Sequence, residues 1–151
     1  IVSHETMHAL GFPHTQSRPD RDDNIKVFTS HIDPAQGGDY GIDWDAKTYG
    51  TVYDFHSTMH YRNSFMANSF KITFVTRDPS HVRYIISGGT MRYNEALAIN
   101  YYYNCSSKMG TACKEKPTCL NGGFLVNDCT CLCPSNFTGP ACDTFAGAWF
   151  Y

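Results

Sequence analysis

Near the N-terminus the chain reads His4-Glu5-Thr6-Met7-His8-Ala9-Leu10-Gly11-Phe12-Pro13-His14, an H-E-x-x-H-x-x-G-x-x-H string. On a helix, His4 and His8 lie one turn apart on the same face, so two imidazoles can grip a single ion. Gly11 can take positive φ, end the helix and turn the chain, so that His14 returns as a third donor from a non-helical segment. Three neutral imidazoles suit Zn²⁺, and three protein ligands leave a position open for water, which marks a catalytic rather than a structural zinc. Glu5 sits beside the first ligand, placed to act on such a water as a general base. The plain alternative, helix and loop histidines satisfied by hydrogen bonds, does not account for the fixed offsets of Gly11 and His14.

These residues must be held by elements that the rest of the sequence supplies. Residues 1–10 read as a helix ending at Gly11. From Phe12 to Tyr53 the chain is rich in Asp, Gly, Pro and Ser, which predicts irregular structure with little regular helix or strand. A tight turn is expected at Ser57-Thr58-Met59-His60-Tyr61, a short strand over Lys71 to Val75, and turns at Asp78-Pro79 and Ser87-Gly88-Gly89. Met91 to Tyr103 reads as a second helix with Tyr93, Leu97 and Tyr101 on one stripe, expected to pack as core. Residues 108–143 form a cysteine-rich module, and residues 144–151 an unassigned aromatic tail.

Composition narrows the setting. The chain has 151 residues, a formal net charge of −2 and 42% hydrophobic residues, enough for one modest domain or a partial domain with a small module. The balanced charge offers no basic footprint for nucleic acid. No apolar run approaches the roughly 18 residues that span a bilayer. The chain opens at Ile1-Val2-Ser3, just ahead of the first candidate ligand, and is read as a fragment lacking an upstream half.

Of the seven cysteines none precedes Cys105, and six lie from Cys113 to Cys142. Such density in a short, loop-rich stretch implies disulfides and an oxidising compartment. A competing second zinc site from Cys119, Cys129, Cys131 and Cys133 lacks the usual C-x2-C spacing. Asn104-Cys105-Ser106 and Asn136-Phe137-Thr138 are glycosylation sequons, compatible with secretion.

The residues after the zinc string resemble one family. Phe12, Arg18, Asp20, Arg21 and Asp22 match the astacin form of the metzincin signature, H-E-x-x-H-x-x-G-F-x-H-E-x-x-R-x-D-R-D. Tyr53-Asp54-Phe55-His56-Ser57-Thr58-Met59-His60-Tyr61 resembles the astacin Met-turn, and Asn100, Tyr103 and Cys105 its terminal N-x-x-Y-x-C. The resemblance covers about residues 1–105. It implies an α+β architecture: the C-terminal subdomain of a metzincin (active-site helix, irregular loops, Met-turn and C-terminal helix), followed by the small disulfide-rich module.

By that resemblance, His4, His8 and His14 bind one Zn²⁺ per chain and Glu5 is the general base of peptide-bond hydrolysis. Met59 floors the ligands, and Tyr61 is a loose fifth ligand that stabilises the oxyanion. The same resemblance implies an extended peptide or protein as substrate and a secreted, extracellular metalloendopeptidase. The chain departs from the family at Thr15, where Glu is usual, at Arg92, where a helix-capping Ser is usual, and after Tyr61, where one residue is missing.

Residues 108–143 resemble an EGF-like module, through Cys119-Leu120-Asn121-Gly122-Gly123 and Cys131-Leu132-Cys133-Pro134 with Phe137-Thr138-Gly139 and Cys142. That resemblance implies pairs Cys113–Cys129, Cys119–Cys131 and Cys133–Cys142, a partner for Cys105 upstream, and an extracellular protein as the module's own partner. The rival reading is a catalytically inactive truncated product that acts only as an extracellular binding module.

Overall fold

A computed structural model describes residues 2–69, 71–84, 89–110 and 112–147. Two compact units divide at Arg92/Tyr93.

The first unit begins with helix α1, Val2–Ala9. Its one buried side chain is Met7, and it stops where Gly11 adopts φ +85°. There the amides of Gly11 and Phe12 donate to the carbonyls of His8 and Met7, so positive φ at a residue without Cβ closes the helix and redirects the chain. Beyond it the chain runs through short 3-10 turns, the four-residue helix α2 (Arg21–Asn24) and strand β1 (Ile25–Val27). Strand β2 covers Phe74–Thr76 and pairs antiparallel with β1, Ile25 opposite Thr76 and Val27 opposite Phe74. The strand expected over Lys71 to Val75 therefore lies later and is shorter. Only the part facing β1 pairs as a strand, although Phe28 N–H extends the contact to the Thr73 carbonyl.

The core of this unit is largely aromatic: Tyr40, Tyr53, Phe55 and Phe74 close on Ile25 and Ile32, with Val27, Tyr61 and Met66 packed against them. So few regular elements hold together because two arginines tie the loops. Arg18 grips Asp20 with two parallel bonds (2.8 and 2.7 Å), then reaches the Thr51 hydroxyl and the Thr51 and Val52 carbonyls. Arg21 is buried, and its guanidinium donates to the Gln16 and Tyr40 carbonyls and to Asp22. A buried guanidinium is tolerable only when its donors are satisfied in this way.

The second unit starts with helix α3, Tyr93–Tyr103, followed by α4, Cys105–Gly110. Asn104 at φ +53° breaks the two apart, and Asn100 Oδ1 accepts from the Ser106 amide and hydroxyl across the break. The aromatic stripe of α3 does not form a core: Tyr101 is 60% exposed, and the buried positions are Glu95, Ala98 and Asn100. The buried face of α3 thus falls on small and polar positions, while the phenols can keep their O–H groups in water. Tyr93 turns inward, donating to the Gly122 carbonyl and packing on Phe124.

Two hairpins follow, β3 (Phe124–Leu125) with β4 (Cys131–Leu132) and β5 (Phe137–Thr138) with β6 (Thr144–Phe145). They are too short to be stable alone, and three disulfides cross-link them: Cys113–Cys129, Cys119–Cys131 and Cys133–Cys142. The sulfurs of Cys119, Cys129, Cys131 and Cys133 are thus committed to disulfides, which removes the second zinc site as a reading. Gly123 admits no side chain, since a Cβ there would lie 2.5 Å from Cys142 Sγ. Cys105 carries a free, half-buried thiol. The fold is α+β, an irregular helix-and-loop unit followed by a small disulfide-rich β module. Among the described residues no helix is long and apolar enough to cross a membrane. The turn expected at Ser87-Gly88-Gly89 falls outside the described residues at its first two positions, as does the tail beyond Gly147.

Candidate metal centre

Helix α1 and the turn at Gly11 bring His4, His8 and His14 together. The Nε2 atoms of His8 and His14 are 3.1 Å apart, and those of His14 and His4 are 3.3 Å apart. Zn–N bonds of about 2.0–2.1 Å at tetrahedral angles give nitrogen pairs about 3.3–3.4 Å apart, so the spacing suits ligands of one ion. The opposite ring nitrogens favour the same reading. His4 Nδ1 donates to the Thr58 carbonyl (2.7 Å) and His8 Nδ1 donates to the Phe12 carbonyl (3.0 Å). A proton fixed on Nδ1 leaves the Nε2 lone pair free, and three lone pairs converging on one point repel unless a cation sits between them. The residues therefore fit a zinc ion. Burial, then the neighbouring rings of His8 and His4, pull His14 down to about 4, which keeps its imidazole unprotonated near neutral pH.

Glu5 is exposed on α1 next to His4. Met59 is 2% exposed, and its carbonyl accepts the Thr15 amide (3.0 Å), which ties the turn at Met59 to the segment that delivers His14. The Tyr61 ring lies 4.3 Å from the His14 ring, centroid to centroid, and also meets the rings of Tyr40 (5.7 Å) and Phe65 (4.6 Å). Burial, the Asp39 carboxylate and Tyr40 push the Tyr61 phenol up to about 12, so it keeps its proton. An open cleft of about 420 Å³ borders His8 and His14, walled by Ser17, Asp39, Ile42 and Asp43.

Gln16, His60 and Tyr53 gather around the backbone of Tyr61; Tyr53 and His60 belong to the segment that resembles the Met-turn but have no role assigned there, and Gln16 falls at an unspecified position of the signature. Gln16 is fully buried, and its Oε1 accepts the Tyr61 amide (3.2 Å), while its Nε2 has no hydrogen-bond partner among the described residues. His60 is held neutral by burial, which brings it down to about 4. Its Nδ1 donates to the Tyr61 carbonyl (2.8 Å), and its Nε2 accepts from the Tyr53 hydroxyl (2.9 Å). Only the three-dimensional packing shows that Gln16, two residues after His14, meets Tyr61 across 45 residues of chain, where the Tyr53–His60 pair holds the other backbone group. The remaining site candidates lie in the second unit: the sequon asparagine Asn104 is exposed and Asn136 is half-buried.

Two imidazoles on a short helix and a third from the turn beyond Gly11, tied by hydrogen bonds to the turn that carries Met59, define a metal-site class, and comparison with known proteins narrows it. A sequence model of the Astacin peptidase family matches residues 1–104, and the chain belongs to that family. Among curated relatives, zinc metalloproteinase nas-36 of Haemonchus contortus is 37% identical over 149 residues, spanning 96% of this chain and 24% of that protein. Blastula protease 10 of Paracentrotus lividus is 33% identical over 144 residues, spanning 94% of this chain and 24% of that protein. The chain thus spans about a quarter of the length of these relatives. Among solved structures, the high choriolytic enzyme 1 of Oryzias latipes, a hatching enzyme zinc-protease, superposes with a TM-score of 0.62 at 31% identity. The match covers 68% of this chain and 50% of that one.

Proposed function

We propose that this chain carries the zinc-binding segment of a metalloendopeptidase, with His4, His8 and His14 as ligands of one zinc ion. The observation that carries the reading is the triangle of Nε2 atoms, with the outer nitrogens of His4 and His8 already committed to carbonyls. The nematode relatives are themselves named zinc metalloproteinases, which supports it. Bound zinc would lower the pKa of water towards about 7 and polarise a carbonyl.

The chain's own residues supply the rest. Glu5 takes the proton of the attacking water on its carboxylate and returns it to the leaving amine. The Tyr61 phenol is both a loose fifth ligand and, with its proton retained, a hydrogen-bond donor to the carbonyl oxygen as negative charge builds there. Met59 forms the apolar floor. An extended peptide or protein is the substrate, its side chains running past the cleft at Asp39 and Asp43.

In this reading residues 1–105 are the protease part, 108–143 an EGF-like module that docks on an extracellular protein, and 144–151 a tail. Three disulfides support an oxidising, extracellular location, where Asn104 and Asn136 are candidates for glycosylation.

The test is Glu5→Ala in the complete protein. Zinc content should stay at one per chain while casein cleavage disappears, and a chelator should abolish wild-type cleavage. Cleavage by Glu5→Ala at the wild-type rate would remove Glu5 as the base. Chelator-insensitive cleavage, or none by the zinc-loaded wild type, would refute the protease reading.

A further inference from the structure

The backbone of Tyr61 is held at both ends by buried side chains. Its N–H donates to Gln16 Oε1 and its carbonyl accepts from His60 Nδ1, itself tied through Nε2 to the Tyr53 hydroxyl. Gln16 and His60 are among the most buried side chains of the molecule, at 0% and 1% exposure. A second rung lies alongside, because the Thr15 amide bonds the Met59 carbonyl. Residues 15 and 16, directly after the third imidazole, thus grip residues 59 and 61, and the His14 and Tyr61 rings meet at 4.3 Å as a result.

We propose that Gln16, together with the Tyr53–His60 pair, is a positioning residue for Tyr61: the clamp fixes its backbone, so that the phenol approaches a reacting carbonyl from one fixed pivot by side-chain torsion alone. The proposal rests on the reading of Tyr61 as an oxyanion donor. Three features carry it. First, from a fully buried position the Gln16 amide turns its oxygen to the Tyr61 N–H at 3.2 Å. Turning the amide over would set its NH2 against the Tyr61 N–H, so the orientation is dictated by Tyr61. Second, His60 Nδ1 must carry its proton to donate to the Tyr61 carbonyl, and the Tyr53 hydroxyl occupies the other nitrogen, which leaves the ring a single tautomer and a single orientation. Third, both backbone groups of Tyr61 are bonded by buried side chains, one of them 45 residues away in sequence. A hydrogen-bond donor to a developing charge is effective only if its position is fixed before charge appears, since misplacement by about an ångström can cost on the order of a hundredfold.

The experiment is a kinetic double-mutant cycle on the complete, zinc-loaded protein. Gln16→Met keeps the length and removes the acceptor; Tyr53→Phe keeps the packing and removes only the hydroxyl, and serves even if Gln16→Met fails to fold. Each is measured alone and in a Tyr61→Phe background, with zinc content checked throughout. Gln16→Met is expected to lower kcat by about tenfold to a hundredfold with KM little changed, and Tyr53→Phe by a smaller factor. Neither should lower kcat further once the Tyr61 hydroxyl is absent. The same fold-loss in both backgrounds, or no loss in either, would overturn the positioning role. A Tyr61→Phe enzyme with wild-type kcat would instead overturn the reading of Tyr61, and the clamp's role with it.

Discussion

His4 Nδ1 lies 2.7 Å from the carbonyl oxygen of Thr58, across 54 residues of chain. This bond joins the helix that presents two imidazoles to the turn that carries Met59 and Tyr61, and it sets the tautomer that leaves His4 Nε2 free. The helix that carries His4 and His8 and the turn that carries Met59 and Tyr61 are therefore one hydrogen-bonded unit, and changes to the turn should be felt at the three imidazoles.

Met59 tests that link. Its side chain is 2% exposed, so Met59→Ala should cost about 2–5 kcal/mol as lost burial plus a residual cavity. Chemical denaturation of the complete protein should give a lower midpoint, and competition with a chelator should reveal weaker zinc retention. An unchanged midpoint would mean that the turn collapses freely and does not floor the ligands.

Tyr61→Phe removes one hydroxyl and leaves the ring packed on His14, Tyr40 and Phe65. Proteolysis should fall by roughly 10²–10³-fold, the loss typical of one oxyanion donor, with the fold intact by circular dichroism. A wild-type rate would take Tyr61 out of the chemistry.

Much of the centre is legible in the sequence because it is local. Helical geometry alone brings His4 over His8, and Gly11 announces the turn that returns His14. What remains hidden is carried by contacts between distant segments. Gln16 meets Tyr61 across 45 residues and Arg18 meets Thr51 across 33, and neither partner follows from periodicity. Strand β2 is set by its pairing with β1 rather than by its own residues, so its limits are misplaced by composition. The four-residue spacing of Tyr93, Leu97 and Tyr101 suggests a buried stripe, yet amphipathic phenols are also content at a surface, and burial passes to Ala98, Glu95 and Asn100. Cysteine density points to disulfides, but their pairing is not derivable from spacing.

The Arg18–Asp20 pair predicts an acid-side dependence. Bonds from Arg18 hold the Asp20 carboxyl below its ordinary range. A depressed folded-state value contributes stability above the unfolded pKa of about 3.9, lost as pH falls through the folded value. The pair is partly exposed, so the contribution should stay within about 1 kcal/mol and shrink with salt. Urea titrations of wild type and Asp20→Asn between about pH 6 and pH 2 should converge at the acid end. A constant difference across that window would contradict the pairing.

The disulfide module can be probed separately. Cys119–Cys131 ties β4 back to the Asn121-Gly122-Gly123 turn, closing a loop with a sequence separation of 12. Replacing both cysteines by serine should cost roughly 2–5 kcal/mol. Hydrogen exchange should show the β3–β4 amides losing protection; unchanged protection would mean that the hairpin stands without its cross-link.

The most direct test is of the metal itself. The complete protein, equilibrated with zinc and freed of excess, should hold one zinc per chain, and X-ray absorption should find three imidazole nitrogens at about 2.0–2.1 Å. His8→Ala should lose most of that metal. Zinc absent from the well-folded protein, or held by sulfur instead of imidazole, would contradict a three-histidine centre.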